Sequence, residues 1–316
     1  MSNGISKCRL ALFYFRAIQN LQPRIIINHP EKFNIVSTQI LKYADAPTQY
    51  IDAEGVRYAY RSLGKQSGTP LVCLQHFTGT LDNWDPIIIN GLAQERPVIT
   101  IDNAGIGNSG GTTPDNAQDM AKIAIKIIDA LEVKKCDLLG YSLGGFIAQT
   151  IAVTKPDLLR KIILVGTAPQ GTKALHSFPQ LVERAFQQQG IEVYLYLFAT
   201  KSAKSRALVT AVFQRLQERK KDRDKDTGMP SVQAQVKALT RWGTDPVTIK
   251  LSDIHHPVMI VQGNNDEMMD SDSSLTLFKQ IPNGLLFYYP DSAHGSFFQY
   301  PEMFVAEASR FLNYFE

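Results

Sequence analysis

The chain has 316 residues, 20% charged and 44% hydrophobic, which suits one large α/β domain or a core domain carrying an insertion. Its 33 basic and 30 acidic residues leave a formal charge of +3, so there is no electrostatic case for nucleic acid or an anionic membrane as partner. No apolar run approaches the ~18 residues of a spanning helix, and three cysteines (Cys8, Cys73, Cys136) make no disulfide framework; they fit a reducing, cytoplasmic setting.

Residues 1–46 read as an N-terminal extension that contributes no chemistry. Lys7, Arg9, Arg16 and Arg24 precede the first acid, Glu31, which is also the character of a basic organellar import sequence. The apolar burst from Leu10 to Phe15 is cut by Arg16, too short for a secretory signal. From Gln49 the pattern becomes regular. Tyr50–Gly55 and Val56–Arg61 alternate with period two around a Glu-Gly turn, predicting a hairpin at the antiparallel edge of a mixed sheet. Pro70–Gln75 and Pro97–Asp102 are short apolar runs of the kind found in buried parallel strands. Asp115 to Leu131 carries apolar residues three and four apart, a helix with Asp115 and Gln118 as its expected capping box. Cys136–Tyr141 is a strand, the next segment is helical up to Pro156, and Lys161–Gly166 is again a strand. Alternation of this kind implies a parallel sheet covered on both faces.

The rhythm then breaks. From 168 to 250 there is no strand signal, only helical patterns at Pro179–Gln188, Ile191–Thr200, Ser205–Glu218 and Val232–Trp242. The mixed-charge run from Glu218 to Asp226 reads as a solvated loop. Strand signals resume at Pro257–Gln262 and Leu285–Tyr289, and a helix from Pro301 to Phe315 closes the chain. The expected division is therefore a core of 47–167 and 251–316, with 168–250 inserted.

The chemistry centres on Gly140-Tyr-Ser-Leu-Gly144, a Gly-x-Ser-x-Gly pattern between a strand and a helix. A serine on so sharp a turn stands proud of the sheet, and the residues two before and two after must lack side chains because the backbones nearly touch. A serine hydroxyl is a weak nucleophile until a base takes its proton and a third group orients that base. In open parallel sheets such partners lie beyond the carboxyl ends of strands. His294 follows the last strand and Asp266 the one before, giving the order Ser142, Asp266, His294. His76 competes as base, and Asp270 or Asp253 as acid; His29, His176, His255 and His256 are too scattered for a metal site. An oxyanion needs two fixed donors: the Leu143 N–H after the serine, and the Phe77 N–H in the loop after Gln75. Gly105–Gly110 is a literal Gly-x-Gly-x-x-Gly, but Gly111–Pro114 continues the loop where a dinucleotide site would start a helix. No cofactor or metal is expected.

Gly140–Gly145, Leu81-Asp-Asn-Trp-Asp-Pro86, Asp102–Ser109 and His294-Gly together resemble the α/β-hydrolase superfamily, in its branch of capped esterases, perhydrolases and carbon–carbon bond hydrolases. The resemblance covers about Tyr50 to Glu316. It implies an α/β-hydrolase fold: an eight-stranded, mostly parallel sheet with helices on both faces and a helical cap after the sixth strand. It also implies Ser142 as nucleophile, Asp266 as acid, His294 as base, and Phe77 and Leu143 as oxyanion donors. The chain departs from the pattern where Gln75-His76 stands in place of the usual His-Gly. The expected activity is cleavage of a small, mostly apolar ester through an acyl-enzyme. A carbon–carbon or perhydrolase reaction of an ester or ketone substrate on the same triad is the alternative, and a non-catalytic ligand-binding member of the fold is a second one.

Overall fold

A computed structural model describes residues 41–314. The expected extension lies outside these residues up to position 40; within the described part, Tyr43 and Ala46 are buried. The Tyr43 hydroxyl donates to the Leu81 carbonyl at 2.7 Å.

Eight strands form one sheet in the order β1-β2-β4-β3-β5-β6-β7-β8. Strands β1 (Gln49–Ala53) and β2 (Val56–Gly64) make the expected antiparallel hairpin, and β2 also runs antiparallel to β4 (Pro97–Ile101). All other pairings are parallel, through β3 (Leu71–Leu74), β5 (Cys136–Tyr141), β6 (Leu159–Val165), β7 (Val258–Gly263) and β8 (Gly284–Tyr289). Burial explains the two sequence patterns. Every residue of β3 and β5 is buried, as a central strand covered on both faces must be, whereas β1 at the edge alternates.

Helices α1 (Pro86–Leu92), α2 (Ala117–Ala130) and α3 (Leu143–Thr154) connect the first strands. The start of α2 differs from expectation. Asn116 is the cap, accepting from the Asp119 N–H at 2.8 Å, while Asp115 is drawn off to Arg241 at 2.9 Å. Between β6 and β7 come α4 (Phe178–Phe186), α5 (Ile191–Phe198), α6 (Ala203–Leu216) and α7 (Met229–Thr244). Helices α8 (Ser271–Gln280), α9 (Ser296–Gln299) and α10 (Pro301–Tyr314) complete the chain. Among the described residues no helix is long and apolar enough to cross a membrane.

The charged run 218–226 is a mostly exposed loop, as expected, with two exceptions. Arg219 is buried, and the Asp224 side chain is fully so. Asp224 accepts from the Asp82 N–H at 3.2 Å and from Asn108 Nδ2 at 2.9 Å. Its own N–H donates to Asp82 Oδ2 at 2.9 Å. Arg61, fully buried in β2, completes the cluster by donating to Asp82 Oδ1 at 2.8 Å. Alternating signs along the run let both charges find buried partners, an outcome that hydropathy alone could not signal.

Candidate active site

Ser142 sits between β5 and α3 with φ +55° and ψ −116°, a conformation that costs a non-glycine residue of order 1–3 kcal/mol. Its neighbours hold it there. The Ser142 N–H donates to the Val165 carbonyl at 2.9 Å, and its carbonyl accepts from the Gly145 N–H at 2.8 Å and Thr167 Oγ1 at 2.9 Å. The two flanking glycines are required sterically. A Cβ on Gly140 would lie 2.5 Å from the Gly144 oxygen, and one on Gly144 would lie 2.2 Å from the Leu74 oxygen.

Asp266 and His294 follow β7 and β8, and the structure brings them together: Nδ1 of His294 is 2.8 Å from Oδ2 of Asp266, both buried. The other oxygen of Asp266, Oδ1, accepts from the N–H groups of Met268 (2.8 Å) and Met269 (3.1 Å), and Gln262 Nε2 also donates to Oδ2 at 3.1 Å. Burial alone would raise its pKa, but the His294 imidazole and these N–H donors outweigh it and hold the carboxyl below the ordinary value. A carboxylate so held accepts, so the proton of a neutral His294 sits on Nδ1 and the lone pair on Nε2. That Nε2 and the Ser142 hydroxyl are both buried without a partner among the described residues. They do not hydrogen-bond each other in this structure, but both residues border one cavity of about 660 Å³. Catalytic hydrogen bonds are often long before substrate binds.

The competing residues have other occupations. Asp270 caps α8, accepting from the Asp272 N–H; Asp253 is exposed in a short 3-10 turn. His176 meets the Gly243 carbonyl and His256 that of Pro156, while His29 lies outside the described residues. His76 does border the cavity, but its Nδ1 meets the Phe77 carbonyl at 2.7 Å rather than a carboxylate.

Phe77 also borders the cavity, and Leu143 is the first residue of α3, so its N–H has no acceptor within the helix. The loop around Phe77 is tied at almost every polar group. The His76 N–H donates to Gln75 Oε1 (2.9 Å), the Gly79 N–H to the His76 carbonyl (3.0 Å) and the Thr80 N–H to Asn83 Oδ1 (2.8 Å). Thr78, itself at φ +61°, donates its N–H to Gln235 Oε1 of α7 at 2.7 Å. Its carbonyl accepts from Thr227 Oγ1 at 2.8 Å. The Phe77 N–H has no partner among the described residues. Sequence reasoning noted Gln75 only as a departure from the family pattern and missed Thr227 and Gln235, for which no local pattern exists. It also missed Tyr141, whose ring stacks on His294 at 5.3 Å and whose hydroxyl donates to the His294 carbonyl at 3.1 Å. The aromatic residues of the 168–250 segment divide. Tyr194, Phe198 and Phe213 border the cavity; Trp242 lies flat against Phe146 at 4.7 Å in the core.

An eight-stranded sheet with a strained serine after its fifth strand and a histidine–carboxylate pair after its last two defines an α/β-hydrolase architecture. The family model described as alpha/beta hydrolase fold matches residues 69–301, and the chain belongs to that family. It is similar to a solved alpha/beta hydrolase fold protein from Chitinophaga pinensis, at 52% identity and a TM-score of 0.86, covering 87% of this chain and 100% of that one. A 2-hydroxy-6-oxononadienedioate/2-hydroxy-6-oxononatrienedioate hydrolase from Klebsiella pneumoniae is 26% identical over 70% of this chain and 77% of its own length. The sn-1-specific diacylglycerol lipase ABHD11 of Danio rerio is 25% identical, over 79% and 80% respectively.

Proposed function

We propose that the protein is a serine hydrolase that cleaves a carboxylic ester of a small, mostly apolar substrate through an acyl-enzyme. The observation that carries this reading is the 2.8 Å contact of His294 Nδ1 with Asp266, which leaves Nε2 free to accept a proton at the same cavity as a serine held on a strained turn. His294 takes the Ser142 proton as the oxygen attacks the carbonyl carbon. The carbonyl oxygen becomes an oxyanion between the N–H groups of Phe77 and Leu143. On collapse, the imidazolium gives its proton to the leaving alkoxide, and the acyl group stays on Ser142. Water then repeats the cycle, with His294 as base, and releases the acid. Asp266 holds the imidazole in the required tautomer and stabilises its charge.

Residues 168–250 serve as the cap of this site and 47–167 with 251–316 as its core. Phe178, Val182, Leu197 and Val232 contribute apolar walls to the cavity, whose lining also includes Asp82, Arg223, Asp224 and Asp226; the apolar walls support an uncharged acyl or aryl group. The test is covalent labelling of Ser142 by a fluorophosphonate, followed by turnover of a panel of esters and 1,3-diketones. Ser142→Ala should abolish labelling and lower turnover by about 10⁶-fold. Labelling at another residue, or full activity in the variant, overturns the reading. Cleavage of diketones without esters would transfer the same triad to carbon–carbon hydrolysis.

A further inference from the structure

With so many of its polar groups paired, the loop from Gln75 to Thr80 leaves, besides the Thr78 hydroxyl, two adjacent groups without partners among the described residues. One is a donor, the Phe77 N–H. The other is an acceptor, Nε2 of His76. A carbonyl oxygen can only accept, so the 2.7 Å contact between His76 Nδ1 and the Phe77 carbonyl places the ring proton on Nδ1 and the lone pair on Nε2. Burial pushes the pKa of His76 down to about 4; the Phe77 carbonyl opposes this and the nearby His294 adds to it, so the ring is neutral at physiological pH.

The ring's position ties it to the chemistry. His76 borders the cavity shared by Ser142 and His294. It packs against Tyr141 at 5.1 Å and Phe198 at 5.8 Å, and these same two rings flank His294 at 5.3 and 6.0 Å. Neither of these two ring neighbours offers it a donor: the Tyr141 hydroxyl is already given to the His294 carbonyl, and Phe198 has none. His76 is partly buried at the cavity wall, so its Nε2 is an acceptor open to water or to whatever occupies the site.

We propose that His76 Nε2 is a substrate-recognition acceptor, and that the site takes acyl compounds bearing a hydroxyl or amide N–H on the carbon next to the scissile carbonyl. This rests on the serine-hydrolase reading for the placement of that carbonyl. The substrate carbonyl oxygen meets the Phe77 and Leu143 N–H groups, and the neighbouring donor meets His76. Esters of 2-hydroxy acids and of N-acylated amino acids both present this acceptor–donor pair, and the experiment separates them.

The full-length protein is assayed on methyl mandelate, methyl N-acetylphenylglycinate and methyl α-fluorophenylacetate; the last keeps the size and electron withdrawal of the hydroxyl but donates nothing. One donor-bearing ester should exceed the fluoro compound in kcat/KM by about tenfold, the value of one hydrogen bond, and which of the two does so identifies the donor. His76→Phe should bring the ratio to within about twofold, and His76→Gln, which keeps an acceptor, should restore part of it. Equal rates of the wild type on all three esters overturn the proposal. So does a His76→Phe variant that loses all three alike, since that result assigns the ring to loop support alone. Fluorophosphonate labelling scores the hydrolase reading separately. If Ser142 does not label, calorimetric binding of the same esters to wild type and His76→Phe carries the same comparison: an unchanged preference overturns the proposal, and a lost one supports it.

Discussion

Replacing Gln235 with leucine tests whether the 168–250 segment sets the geometry of the oxyanion loop. Gln235 is fully buried on α7 and accepts the Thr78 N–H at 2.7 Å. Thr78 occupies the left-handed region at φ +61°, where a residue with a Cβ is strained by about 1–2 kcal/mol. Loss of the acceptor leaves an N–H unsatisfied, a further cost of about 1–3 kcal/mol. Both effects favour a relaxed loop, and Phe77 is the next residue. Complete removal of one oxyanion donor costs about 10²–10³ in kcat, so a displaced one should cost about 10- to 100-fold. Gln235→Leu should therefore lower kcat by that factor with KM nearly unchanged. Affinity for a trifluoromethyl ketone, whose adduct carries the oxyanion, should fall in parallel with kcat. Thr227→Val, which removes the other tie to Thr78, should be non-additive with it. A variant with reduced Tm but wild-type kcat and inhibitor affinity would refute the reasoning, because the bond would then be structural only.

Two further perturbations follow from buried charges. Asp82→Ala leaves Arg61 fully buried without its 2.8 Å partner, and breaking a buried pair in this way costs about 3–5 kcal/mol; chemical denaturation should show the loss, and a change below 1 kcal/mol would mean that Asp224, 3.5 Å from Arg61, suffices. For Asp266 the folded-state pKa is depressed, so its contribution to stability is present above the ordinary carboxylate value near 4 and disappears as pH falls through the folded value. The Tm gap between wild type and Asp266→Asn should accordingly narrow below about pH 4, and a gap constant from pH 7 to pH 3 would contradict the assignment.

The local pattern of the chain determined a good deal. Period-two alternation marks the β1–β2 hairpin, continuous apolar runs mark β3 to β8, and three-four spacing marks the helices, because each signal reports which face of an element meets the core. The need for Gly140 is equally local, since its Cβ would meet Gly144 of the same turn, whereas Gly144 is required by the Leu74 carbonyl of the neighbouring strand β3. Asp266 and His294 were legible by position alone, each following a strand, and the 2.8 Å contact between them is what the sheet adds by setting β7 beside β8.

Other features were decided only by tertiary structure. Arg219 and Asp224 read as a solvated run, yet the fold carries them to Asp82 and Arg61, far away in sequence, where paired charge is retained in the interior. Asp115 reads as a helix cap until Arg241 claims it. Gln235 meets Thr78 across 157 residues of chain, and the tautomer of His76 depends on which carbonyl its ring faces. Propensity and periodicity describe a residue's own element, whereas a side-chain hydrogen bond between distant segments exists only after loop closure and packing have placed donor and acceptor within about 3 Å.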